Sequence, residues 1–228
     1  YRYRSNNLFE APVVTRVAVG GYIHGGLYHS QNIEAFFAHI PGLLIAYPSN
    51  AADAKGLLKT ALRINDPVMF LEHKGLYRQS YATSPEPDAD YLVPFGKAKI
   101  VKEGNDLSII SWGALVHESN FAIKKLEDEG YSIELIDIRT IAPLDVDSIY
   151  KSVKKTGKAM VIHEDTLTGG FGAEIAALIT ENCFESLDGP VKRIGALDTP
   201  IAFHPVLENA VLPTRERVYR EVKKLLEY

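Results

Sequence analysis

The sequence predicts an α/β protein made of two parallel-sheet α/β units joined by a linker. Three observations carry that expectation. Short apolar runs alternate with longer amphipathic patterns along most of the 228 residues, the order that yields parallel strands with helical crossovers. A proline- and acid-rich stretch, Ser84-Pro85-Glu86-Pro87-Asp88, interrupts that alternation. The composition, 46% hydrophobic and 24% charged, is that of an ordinary globular chain long enough to bury a core.

The elements follow in order. Pro12-Val13-Val14-Thr15-Arg16-Val17 is strand-like. A helix is expected near Ile33 to His39, after a Gly-rich segment. Leu43-Leu44-Ile45-Ala46-Tyr47 reads as a buried strand ended by Pro48. Asn50 or Ser49 then caps a helix from about Ala51 to Arg63, with Asp53 in its first turn and Leu57, Leu58, Ala61 and Leu62 as its inward stripe. Val68 to Glu72 is the next strand, after an Asp66-Pro67 turn. Proline at Pro85 and Pro87 stops helix or central strand, so residues 81–104 are expected to be a linker between a first unit at 1–80 and a second at 105–228.

In the second unit, strands are expected at Leu107 to Ser111, Ile133 to Ile136, Ala159 to Ile162 and Val191 to Ile194. Helices are expected at Leu115 to Glu129, Asp145 to Lys155, Gly172 to Phe184 and Arg215 to Glu227. Gly130 and Gly157 stand where a left-handed residue would stop the first two. Only this second unit reads as complete. The chain begins without an initiator Met and reaches a strand almost at once, as a piece cut inside a domain would.

Charge and cysteine usage exclude several classes. The net charge of −4 argues against a nucleic-acid partner, which normally leaves a basic excess. No apolar run approaches the roughly 20 residues of a membrane-crossing helix, and Tyr1-Arg2-Tyr3-Arg4 opens no signal-peptide pattern. A single cysteine, Cys183, rules out an intrachain disulfide and a multi-cysteine zinc site. It fits a reducing compartment.

Three segments carry candidate chemistry. Gly25-Gly26-Leu27-Tyr28-His29-Ser30-Gln31-Asn32 combines glycines that admit a ligand, a following helix N-terminus that favours an anion, and His29. An imidazole ordinarily titrates near neutrality, so His29 can move a proton. The alternative is a plain turn into a helix, with Ser30 as its N-cap and His29 on the surface. His24 and His39 lack a comparable cluster, while His73, His117 and His204 read as isolated.

The second segment, His163-Glu164-Asp165-Thr166-Leu167-Thr168-Gly169-Gly170-Phe171-Gly172, lies at a strand end where open α/β sheets bind ligands. It fits neither a dinucleotide fingerprint nor a phosphate loop, and reads more readily as a tight turn in which Glu164 and Asp165 bind loop amides. The third, Ala61 to Asp66, is a helix end whose carbonyls and carboxylate suit a hard cation, or an ordinary stop before Pro67.

At these residues the chain resembles a known family. Gly25-Gly26-Leu27-Tyr28-His29-Ser30-Gln31, Glu34 to Leu43, Tyr47-Pro48-Ser49, Asp53 to Leu58, Asp66-Pro67-Val68, Glu72-His73-Lys74, Ala142 to Asp145, His163-Glu164, Thr168-Gly169-Gly170 and Asp198-Thr199-Pro200 are similar, in order and spacing, to the beta subunit of thiamine-diphosphate-dependent 2-oxo acid dehydrogenases. The resemblance implies a transketolase-like architecture: a partial pyrimidine-binding domain, the linker, and a transketolase C-terminal-like domain. It implies an oxidoreductase that decarboxylates pyruvate or a branched-chain 2-oxo acid and passes the acyl group to a lipoyl group.

The implied partners are an alpha-type subunit that holds magnesium and the diphosphate, a second beta-type chain completing a heterotetramer, and a lipoyl-bearing acyltransferase. His29 matches the family's active-site histidine, with a role in binding the substrate carboxylate and delivering a proton to the dithiolane sulfur. A potassium site is implied at Val13, Ala61, Leu62, Ile64 and Asp66, with Ile64 standing where many members carry Asp.

Gly169-Gly170 and Glu164 fall in the domain the family uses for dimerisation and docking. The glutamate that activates the coenzyme, and most ring contacts, are expected upstream of Tyr1, so this piece alone is expected to be inactive. Two other readings share the fold: a transketolase or deoxyxylulose-phosphate synthase relative, and a non-catalytic dimerising or docking module.

Overall fold

The computed structural model describes residues 2–228. The first unit runs β1 (Val14–Val19), α1 (Gly26–His29), α2 (Glu34–Ala38), β2 (Leu44–Ala46), α3 (Ala51–Ala61) and β3 (Val68–His73). The second runs β4 (Lys99–Lys102), β5 (Leu107–Ser111), α4 (Ala114–Asp128), β6 (Ile133–Asp137), β7 (Thr140–Ala142), α5 (Val146–Thr156), β8 (Ala159–Thr166), α6 (Gly172–Cys183), β9 (Lys192–Ala196), α7 (Pro205–Val211) and α8 (Arg215–Leu226).

Local chemistry sets the element ends. Asn50 caps α3 by accepting the Asp53 amide at 3.0 Å. Asp145 accepts the Ser148 amide at the start of α5, and Gly157, left-handed at φ 70°, ends it. Gly130 turns the chain after α4 at φ 95°, and Thr214 caps α8. Gly104 lies so close to β6 that a Cβ would stand 2.1 Å from the Ile133 carbonyl carbon, leaving glycine alone able to pass.

Two sheets result, in the orders β1-β3-β2-β7 and β4-β6-β5-β8-β9. Their strands are parallel except at one edge each. β7 runs antiparallel to β2, and β4 antiparallel to β6. The purely parallel expectation is corrected there: β4 follows an extended segment and β7 a sharp turn, so neither needs a helical crossover. Although its chain position is in the second unit, β7 completes the first sheet. β4 lies inside the segment read as a linker and pairs in the second sheet.

Other differences are local. β8 continues to Thr166, so His163, Glu164 and Asp165 sit on a strand. α2 is shorter than expected and begins after Ile33 without a side-chain cap; Ser30 instead accepts the Gly25 amide at 3.0 Å.

The units share a core. Ile45, Tyr47, Met69 and Leu71 of the first unit form one buried cluster with Ile110, Trp112, Ile136 and Ile138 of the second. Each such side chain contributes about 1.5–3 kcal/mol of burial, so the seam between units is held as a protein interior is.

Candidate active site

His29 ends α1, and its side chain is exposed, as are those of Leu27 and Tyr28 before it. A helix of four residues does not fix its own orientation; the neighbours do. The Lys74 ammonium donates to the His29 carbonyl, and the Gly20 amide donates to the Gln31 carbonyl at 3.0 Å. Burial, the larger influence, lowers the Lys74 pKa, while the Glu164 carboxylate opposes that shift. An exposed imidazole and a nearby ammonium suit a small carboxylate substrate. A cleft of about 550 Å³ lies against the same turn, lined by Leu27 and Gln31 of that turn and by Thr166, Thr168, Asp198, Thr199 and Pro200 from the ends of β8 and β9; His29 and Lys74 are not among its lining residues.

Beneath this turn lies a buried polar pair. Glu164 on β8 approaches His73 Nε2 at 2.6 Å through Oε2 and accepts the Gly21 amide at 2.6 Å through Oε1. His73 Nδ1 accepts the Gly75 amide at 3.1 Å, which leaves the ring proton on Nε2 to be donated to Glu164. His73 is therefore not isolated. Its partner lies 91 positions away, a separation that hides the pair; the nearest signal in the sequence is the Glu72-His73-Lys74 run. His24, read as lacking a polar cluster, lies 2.7 Å from Glu208 Oε2 on α7.

The expected turn reading of the second segment is met in part. Glu164 does bind a loop amide, but the loop belongs to the first unit. Asp165 accepts the amide of Thr166 at 2.8 Å. His163 is buried against Trp112, the rings stacked with centroids 5.5 Å apart, and both ring nitrogens lack hydrogen-bond partners. Burial drives its pKa down to about 4, so at neutral pH it is an uncharged packing group. Trp112 donates its indole N–H to Glu34 at 2.9 Å. Burial first, and then the Asp165 carboxylate, push the Glu34 pKa up to about 8.

The third segment is a helix end with mixed credentials. Val13 O already accepts the Val68 amide at 2.8 Å, and Ala61 O the Ile64 amide at 3.2 Å. Leu62 is exposed, while the Ile64 side chain packs on the core of the first unit and offers only its carbonyl. Asp66 is engaged by the Arg2 guanidinium at 2.5 Å. Among the described residues, no group of three His, Cys, Asp or Glu side chains is arranged to hold a metal ion. No described helix is long and apolar enough to cross a membrane.

Comparison with known proteins places this geometry in a family. Residues 1–80 match the transketolase pyrimidine-binding domain, and residues 96–218 the transketolase C-terminal domain. The whole chain is 43% identical to the 2-oxoisovalerate dehydrogenase subunit beta of Bacillus subtilis, covering 69% of that protein. It is 44% identical to the pyruvate dehydrogenase E1 component subunit beta of Staphylococcus aureus, again over 69% of its length. Against the mitochondrial 2-oxoisovalerate dehydrogenase subunit beta 2 of Arabidopsis thaliana it is 43% identical and covers 63%.

A solved structure of a split-gene transketolase, described as an inactive beta4 tetramer, superposes with a TM-score of 0.75 at 23% identity, over 96% of this chain and 67% of that one. The last likeness concerns the fold alone. With transketolase-type domains in order and full-length identity to these relatives, the chain belongs to the family of thiamine-diphosphate-dependent 2-oxo acid dehydrogenase E1 beta subunits.

Proposed function

We propose that this chain supplies the beta-type side of an active site that decarboxylates pyruvate or a branched-chain 2-oxo acid and transfers the acyl group to a lipoyl group. The observation that carries the reading is the exposed His29 imidazole on a turn whose backbone is pinned, by Lys74 at its end and by the buried Glu164 and Glu208 carboxylates at its start. When bound, thiamine diphosphate supplies the electron sink that a 2-oxo acid needs to lose carbon dioxide.

The residues of this chain bind, orient and move protons. The Lys74 ammonium and His29 imidazole attract the substrate carboxylate to the exposed face of the turn. A His29 ring nitrogen then delivers a proton to the dithiolane sulfur as the acyl group is transferred, the work of a positioned general acid. The Gly25-Gly26 turn keeps bulk away from that approach.

An alpha-type subunit, holding magnesium and the diphosphate, and a second beta-type chain complete the assembly. A lipoyl-bearing acyltransferase receives the product. A potassium ion at Val13, Ala61, Leu62 and Ile64 would draw on backbone carbonyls and would share Asp66 with Arg2.

The test is lipoyl-dependent turnover by the full-length protein assembled with its alpha-type partner. Consumption of pyruvate or a branched-chain 2-oxo acid matched by lipoyl acylation is expected. Transfer of a two-carbon unit to an aldose without lipoyl acylation would replace this reading with a transketolase one.

A further inference from the structure

We propose that Glu164, a carboxylate of the second unit, is a positioning residue for His29: it grips the start and the end of the turn that presents the imidazole, with Glu208 as a second grip. This inference rests on the role given to His29 above.

The start of the turn is strained. Tyr22 and His24 have positive φ, 60° and 57°, without being glycine. Such backbone costs on the order of 1–3 kcal/mol per residue and persists only where its surroundings over-determine it. Those surroundings are the two acids and their neighbours. Glu164 Oε1 accepts the Gly21 amide at 2.6 Å, and Glu208 Oε1 accepts the His24 amide at 3.2 Å. Tyr22 adds a hydroxyl donated to the Pro213 carbonyl at 2.6 Å.

Backbone and acids are in direct contact. A Cβ at Gly21 would stand 2.6 Å from Leu212 Cδ1 and 3.3 Å from Glu164 Oε1, and one at Gly20, with φ +89°, would enter the His73 ring.

The end of the turn is held through His73. The second oxygen of Glu164 takes the His73 Nε2 proton, and the next residue, Lys74, donates to the His29 carbonyl. One carboxylate, with a side chain only 4% exposed, thus ties Gly21 and the His73-Lys74 segment to β8. Two donors share its two oxygens, so losing one oxygen takes the acceptor away from a buried N–H. Glu208, fully buried, has Oε2 2.7 Å from His24 Nδ1 but off the hydrogen-bonding direction. It grips the start alone.

The experiment compares Glu164→Gln with wild type in the full-length protein assembled with its alpha-type partner. Two single-turnover rates are read on each sample: reduction of a dye acceptor after decarboxylation, and acylation of a free lipoyl domain. An amide presents one oxygen where two donors converge, so the turn relaxes. A displacement of about 1 Å at a reacting group costs up to about a hundredfold; the ratio of acylation to dye reduction is expected to fall about tenfold.

A role in folding alone lowers both rates with the number of active sites and leaves the ratio in place. A fall of less than about threefold overturns the proposal, anything larger supports it. If Glu164→Gln does not fold, Glu208→Leu, which takes away the oxygen that accepts the His24 amide, is judged by the same threshold. His29→Ala run in parallel separates the two readings. Unchanged acylation there removes the role of His29, whereas slowed acylation beside an unmoved ratio in the glutamate variants removes only the grip.

Discussion

Replacing Glu34 by Gln is expected to flatten the fall of stability with pH above neutrality. The Glu34 carboxyl is fully buried where the two units meet; Oε1 receives the Trp112 indole proton and Oε2 has no partner. In an unfolded chain a Glu titrates at about 4.3; in the fold burial raises it to about 8. Between those values the native state holds a proton that the unfolded state has released, so raising the pH favours unfolding, at up to about 1.4 kcal/mol per pH unit. Above about 8 the slope ends.

Two other groups frame the window. Asp137, raised chiefly by burial to about 7, acts in the same direction but finishes earlier. His163 has the opposite sign: its folded pKa is depressed to about 4, so the stability it contributes is present above about 6.5 and lost as pH falls from there. From pH ~6.5 to ~8 Glu34 therefore dominates, lowering stability by about 1.5 kcal/mol.

The assay is urea unfolding of wild type and Glu34→Gln at several pH values across that range. The amide can still accept from Trp112, and any constant cost of its own cancels in the slope. Wild type should lose roughly 1.5 kcal/mol more than the variant between the two ends. Parallel curves would refute the assignment of a buried, proton-holding Glu34.

Two further outcomes follow from local geometry. Arg2→Gln frees Asp66 for a cation at the end of α3, so millimolar potassium should raise the thermal midpoint of that variant more than that of wild type, with sodium as the control; equal shifts would remove Asp66 from any such site. Gly104→Ala drives a Cβ into the backbone of β6 at Ile133 and should cost about 1–3 kcal/mol or more in urea unfolding; a neutral substitution would contradict the close approach.

Much of the second unit was legible because its strands and helices advertise themselves locally. β5 and β6 are apolar runs, α5 carries both its Asp145 cap and its Gly157 stop, and α4 ends at Gly130. β7 was not legible: three residues before Pro143 make no pattern, and its partner, β2, lies far back in the chain. β8 was read short because His163, Glu164 and Asp165 break the apolar run that marks a buried strand.

At the site, the Gly-rich turn and His29 were visible as composition. The acids beneath them were not, since pairing His73 with Glu164 requires the two sheets to be packed together first. A polar contact across units leaves no periodicity in either one.

The measurement that bears most directly on the account is single-turnover acylation of a lipoyl domain by the full-length protein, assembled with its alpha-type partner and carrying His29→Ala. A proton delivered by His29 predicts a loss of about a hundredfold or more, the usual range for removing a general acid. An acylation rate within about twofold of wild type would contradict it, leaving His29 no part in the transfer.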